Sequence, residues 1–354
     1  MTQLLVGTKK GLFVLEGDAG SPFEVSSRHF AGEPVEFAMR DPRSGRVIAS
    51  VTSPFYGPKL WYADDPAGAW EQAGGVALPE GGDFALERIW TIAAGEADGV
   101  LYAGGDPAVL FESRDGGLSW ELNRGLWEHP TRPDWQPGGG GLCLHSIAPW
   151  PGDPRRLAVA ISAAGVWLTE DGGETWRRGV RGLTAHYLPE VTPEEEQALC
   201  VHRIHRSRVQ PERMFMQFHG GVYRSDDAGE SWNDIAHGLP SDFGFPLAID
   251  PADPDSAFVI PLTADADRVT PDARVRVYET RDGGESWTPR GEGLPQDHAY
   301  LTVLREAFDW TGEGEALELY FGATSGELFG SADAGATWSS TASRLPPVFS
   351  VTAS

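Results

Sequence analysis

Three histidines have the chemistry to hold a metal. His145 lies in "LCLHSI" and His202 in "LCVHRI", and each is followed nine positions on by a proline, Pro154 and Pro211. If the two stretches are equivalent strands, their imidazoles sit side by side. His219, in "QFHGGVY", falls in a turn that the same arrangement brings to that rim. Neutral imidazole suits Zn, Ni, Cu or Fe, so His145, His202 and His219 could share a divalent transition metal. No H-x-x-H or H-E-x-x-H spacing supports this, and the expectation rests on the fold. Cys143 and Cys200 repeat in register two residues earlier. They read as small buried hydrophobes, with soft metal ligation or a redox pair as the other reading.

Further polar residues belong to turns or strand starts expected at the same mouth. Glu87 and Asp106 could serve as the paired carboxylates of a glycoside hydrolase, which needs separations of about 5 or about 6.5–9.5 Å. Lys10, Tyr56, Lys59, Arg88, Trp90 and Tyr300 are candidate ligand contacts. Lysines on an acidic chain would suit a small carboxylate or phosphate; solvated turn lysines are the plain alternative.

Composition narrows the partners. The 354 residues hold 28 Lys+Arg against 52 Asp+Glu, a net charge of −24. Nucleic acid and anionic membrane draw affinity from Lys and Arg, so both are excluded and a small-molecule ligand is expected. Nothing in the sequence names a protein partner. No apolar run approaches the roughly 20 residues of a membrane span. The N-terminus lacks the pattern of a secretion signal, and two cysteines make no disulfide framework. A cytoplasmic location is the expectation.

The elements that must position these residues are read from a repeat. "SRDGGLSW", "TEDGGETW", "SDDAGESW", "TRDGGESW" and "SADAGATW" end at Trp120, Trp176, Trp232, Trp287 and Trp338. The intervals are 56, 56, 55 and 51 residues, and a worn copy ends at Trp70. A period near 50 suits a four-stranded propeller blade. In each unit, short β-branched strands alternate with Gly/Pro/Asp turns; we letter them A to D from the axis outward. B–C hairpins are expected at 4–15, 47–62, 101–112, 157–170, 214–225, 257–280 and 319–330. The sequence therefore predicts one all-β domain over 1–354, a seven-bladed β-propeller of four-stranded blades. Residues 346–354 would supply strand A of the N-terminal blade, closing the ring and hiding two sheet edges. The repeated phrase marks the C–D turn: Asp accepts N–H and hydroxyl hydrogen bonds, Gly takes positive φ, and Trp covers apolar surface.

Ser/Thr-x-Asp-x-Gly-x-Ser/Thr-Trp resembles the Asp box of BNR-repeat propellers, in the WD40/YVTN/BNR-like superfamily. Over nearly its whole length the chain is similar to cytoplasmic bacterial proteins labelled BNR-repeat glycosyl hydrolase or exo-α-sialidase-like. "VGTKKGLFVL", "PGGGGLCLHSI", "GLPSDFGFPLAI" and "LPPVFSV" carry that likeness. The resemblance implies that D–A and B–C connections open on one face around the axis, opposite the Asp boxes. It fails at the details of a sialidase. That site needs three arginines and an Arg-Ile-Pro motif, whereas Arg88–Ile89 and Arg203–Ile204 are followed by Trp90 and His205. The rim reads as richer in His than in Arg. Two long D–A loops (125–143 and 182–200) and a long acidic B–C loop (262–274) should frame the mouth. In the second, Thr192, Pro193 and Glu195 predict a short capped helix.

Overall fold

The computed structural model describes residues 1–81, 84–185, 187 and 199–354. Apart from one helical turn, Arg124–Trp127, and three short 3-10 turns, the regular structure of the described residues is strand. There are five four-stranded antiparallel sheets and one of eight strands. The innermost strands of the five are Val35–Arg40, Arg88–Ala94, Leu144–Trp150, Val201–Arg206 and Gly244–Asp250. The eight-stranded sheet has Val303–Thr311 and Val348–Ala353 at its middle. Each innermost strand packs against the next, and Val348–Ala353 touches both Val303–Thr311 and Val35–Arg40, so the circuit closes. The capped helix expected at Thr192–Glu195 lies outside the described residues.

All the expected B–C hairpins are antiparallel pairs, from Thr2–Thr8 with Gly11–Gly17 to Glu318–Ala323 with Leu328–Ser331. The C-terminal strand Val348–Ala353 pairs antiparallel with Thr2–Thr8, as expected. Between neighbouring sheets lie apolar clusters, each built by residues of both; Trp120, for example, packs with Ile48, Leu60 and Phe111. Dispersion and burial at these seams hold the ring together.

The repeated turn is structural, and its hydrogen bonds show why. Asp171 Oδ2 accepts from the Thr175 hydroxyl, and its Oδ1 accepts from the Thr175 N–H (3.0 Å) and the Thr169 hydroxyl (2.8 Å). The Trp176 indole N–H donates to Gly173 O at 3.1 Å. The same set recurs around Asp115, Asp227, Asp282 and Asp333. Trp232 and Trp287 instead donate across the seam, to Gly179 O (3.0 Å) and Ile235 O (2.7 Å). At the worn copy, Trp70 Nε1 is buried with no partner among the described residues.

Hydrogen bonds to Ser286 and Thr175 hold the carboxyls of Asp282 and Asp171 down to about 2. A carboxyl depressed on folding stabilises above its unfolded value, about 3.9, and that stability is lost as pH falls through the folded value. Denaturant midpoints should therefore drop between about pH 4 and pH 2. Asp171→Asn/Asp282→Asn should melt a few degrees lower at pH 7 and show a shallower acid slope. An unchanged slope would remove these turns from the acid transition.

Candidate functional site

The strands nearest the axis share an irregularity that decides what lines it. In each, the register against its partner slips near the N-terminal end, leaving one or more extra residues. The extra residue is Glu36 between Val35 and Phe37, Trp90 between Ile89 and Thr91, His145 between Leu144 and Ser146, and His202 between Val201 and Arg203. Phe245 and Pro246 together oppose the single Ile260, Leu304 to Ala307 fall in a wider slip, and Phe349 in the slip of the C-terminal strand. A bulge bends its strand and re-aims a side chain. Here it turns residues out of the alternation of the strand and toward the axis.

The result is a cavity of about 840 Å³. Glu36, Trp90, His202, Phe245, Leu304, Arg305, Glu306 and Phe349 come from the bulges; connecting loops add Asp134, Gly138–Gly140, Tyr187, His219, Asp265 and Arg268. Arg305 is the most unusual member. Its guanidinium lies 4.9 Å from the Phe245 ring centre and 5.7 Å from that of Trp90. Among the described residues its Nε is buried without a hydrogen-bond partner, as is Trp90 Nε1. Burial pulls the Arg305 pKa down, the sign of a charge short of solvation. By contrast Arg268 pairs with Asp265 at 2.7 Å, and Arg88 stacks on Trp90 at 4.6 Å while offsetting part of the burial that pushes the Glu36 carboxyl up.

One wall carries sulfur and imidazole. Donor atoms of Cys200, His202 and His219 all lie within 4.8 Å of one another. The Tyr187 hydroxyl accepts the Cys200 N–H at 3.0 Å, and its ring lies 4.3 Å from that of His219. Burial holds His202 well below the usual imidazole range and lowers His219, so both are neutral near pH 7. The floor is the buried ion pair of Arg203 and Glu306, which joins two strands across the axis. Beyond it a second cavity of about 340 Å³ is lined by Arg203, His205, Asp309 and Trp310.

Closed rings of such sheets are known among solved structures. The chain is similar to an ancestral GH74 enzyme (TM-score 0.58, 18% identity) over 84% of its own length and 36% of that protein's. It is similar to the Niastella koreensis GH74 enzyme (0.56, 13%) over 98% and 65%. It also matches the Myceliophteria thermophila Cps50 (Swd1) β-propeller domain (0.56, 10%) over 86% and 85%. The fold is a β-propeller. The chain thus spans about a third and about two thirds of the two GH74 enzymes, and at these identities the likeness concerns the fold alone. No family model matches the chain, and no curated protein does.

In this propeller the residues expected at the mouth separate into two groups. Arg88, Trp90, His202 and His219 line the cavity. His145 does not: its Nε2 bonds Val201 O at 2.8 Å, its Nδ1 lies 3.2 Å from Ser146 Oγ, and it is fully buried. It staples one inner strand to the next, so the expected histidine trio gives way to Cys200, His202 and His219. Lys10, Tyr56, Lys59 and Tyr300 lie outside the cavity lining; the tyrosines are 79% and 62% exposed. The tips at Lys10 and Tyr56 point into solvent, whereas the tip that carries His219 reaches the cavity. Glu87 is exposed and away from the cavity. Asp106 sits behind the loop, where a Cβ on Gly141 (φ +99°) would come within 2.5 Å of its Oδ2. Cys143 donates toward Asp106 at 3.4 Å, and burial raises both pKa values, which keeps the Cys143 thiol protonated. Among the described residues the rim holds Arg88, Arg268 and Arg305 beside His202 and His219. Glu36, Phe245, Arg305 and Phe349 were missed: no local pattern marks a register slip, and Arg305 sits in the unremarkable run "TVLREAF".

Proposed function

We propose that this chain is a seven-bladed Asp-box propeller whose axial cavity binds a small molecule with one carboxylate or phosphate and a planar or apolar body. The blade count follows from reading the eight-stranded sheet as two blades. Only the parallel bridge between Glu306 and Ser350 pairs its halves, and the other five sheets make one blade each.

The observation that carries the ligand reading is Arg305. A guanidinium held among Phe245 and Trp90 with its Nε unpartnered is short of an anion. A bidentate carboxylate or phosphate would supply it, while Phe245, Phe349 and Trp90 offer ring faces to an apolar body. The long loops that carry Gly138–Gly140 and Asp265 give such a molecule walls away from solvent.

A thermal-shift panel tests this with phenyl phosphate, benzoate, inorganic phosphate and benzyl alcohol. A ligand at about 100 times its Kd stabilises by about 2.7 kcal/mol, so the aromatic anions should raise the melting temperature by a few degrees. Inorganic phosphate should do so less, and benzyl alcohol should not. Equal shifts with benzyl alcohol and benzoate would remove the charge from the account.

A further inference from the structure

We propose that Cys200, His202 and His219 hold a divalent transition metal, zinc by the chemistry of the set, with its open coordination position facing the axial cavity. The proposal rests on the reading of that cavity as the functional site, because an open position is of use only to a molecule bound there.

The donor set is the first reason. One thiol and two imidazoles are borderline-soft ligands that suit zinc and its neighbours and exclude calcium and magnesium. Zinc bonds of about 2.3 Å to sulfur and about 2.0–2.1 Å to nitrogen place the donors of such a tetrahedral set about 3.3–3.6 Å apart. Here all three lie within 4.8 Å of one another, close to that spacing with no ion present. Cys200 lies just before the strand whose bulge turns His202 out of its alternation, while His219 returns from the adjoining hairpin after Phe218.

The orientation of His202 is the second reason. Its Nδ1 lies 2.6 Å from Gly244 O. A carbonyl can only accept, so the hydrogen is on Nδ1 and the lone pair is on Nε2. A backbone carbonyl fixing the far nitrogen is the outer shell that metal-bound histidines use. His145, in the equivalent bulge, spends its Nε2 on Val201 O instead. The two rings are turned oppositely, and only His202 keeps a free nitrogen beside a cysteine and a second histidine.

Three protein ligands leave one position for water or a ligand, as in catalytic zinc sites. The nearby carboxylate, Asp265, is already paired with Arg268. A thiolate and two neutral imidazoles on a divalent ion leave one positive charge near Arg305. An anion in the cavity would neutralise both at once.

Cobalt(II) is the probe, titrated into chelator-treated protein without any anion. One equivalent should produce a thiolate-to-cobalt charge-transfer band in the near ultraviolet with visible bands of tetrahedral intensity, and Zn²⁺ should displace it. Cys200→Ser should abolish the charge-transfer band, His219→Ala should weaken Zn²⁺ binding at least about tenfold, and Cys143→Ser should change neither. Absence of the band in the wild type, or a band that follows Cys143 and not Cys200, would overturn the site. Phenyl phosphate titrated into metal-free protein reports the anion reading separately, so each can fail alone.

Discussion

Removal of residues 346–354 should abolish cooperative unfolding and drive the chain to associate. The strand Val348–Ala353 closes the ring against Thr2–Thr8, with reciprocal backbone bonds between Gln3 and Ser354, both 2.9 Å. Val348 and Val351 are fully buried there. Their burial alone is worth about 3–6 kcal/mol at about 1.5–3 per side chain, a large part of the roughly 5–15 kcal/mol that holds a domain folded. Truncation also strips cover from Thr2–Thr8, and an open strand edge is a template for another chain. Light scattering after gel filtration, with urea denaturation, reads both effects. A monomer with the midpoint of the full chain would show that the ring does not depend on its closure.

Breaking the ion pair at the cavity floor should cost nearly as much. Arg203 and Glu306 have side chains only 12% and 2% exposed. Arg203 meets Glu306 Oε2, Oε1 has no partner among the described residues, and burial pushes the carboxyl up against the pull of Arg203. Removing either member leaves a charge buried alone, at about 3–5 kcal/mol, whereas an apolar replacement of both is often near neutral. Arg203→Leu and Glu306→Leu should each lower stability by that amount, and the double variant should lie within about 1–2 kcal/mol of the wild type. A double-mutant cycle in denaturant measures the coupling. Additive losses would mean that the two charges are solvated independently and that the floor is not a pair.

The ring was legible where the cause is local. Asp171 needs only its own turn to satisfy its oxygens, so the phrase around Trp176 announced a turn before any partner strand was known. The hairpins followed from turn residues between β-branched runs, and residues 346–354 were the one segment left to fill a missing strand. The equivalence of His145 and His202 was also legible from the matching prolines; both prove to be bulge residues. Which nitrogen each ring offers was not, because that depends on a carbonyl of the next strand, Val201 O or Gly244 O, more than 40 residues away. Arg305 was hidden for the same reason: a slipped register is a property of two paired strands, and the alternation of one strand alone gives no sign of it. Lys10 and Tyr56 were assigned to the correct connections, but a turn names a face of the molecule without saying whether its tip bends over the axis.

The central claim is that Arg305 makes the axial cavity an anion site. Calorimetric titration of phenyl phosphate into metal-free wild-type protein, Arg305→Met and Arg114→Ala tests it directly. Arg114 carries the same charge on a C–D turn and is 76% exposed in its side chain. Loss of one partner of a buried charge pair costs about 2–5 kcal/mol. The account therefore predicts saturable one-to-one binding that weakens at least about thirtyfold in Arg305→Met and is unchanged in Arg114→Ala. Equal affinity in the wild type and Arg305→Met, or no saturable heat in the wild type, would contradict it.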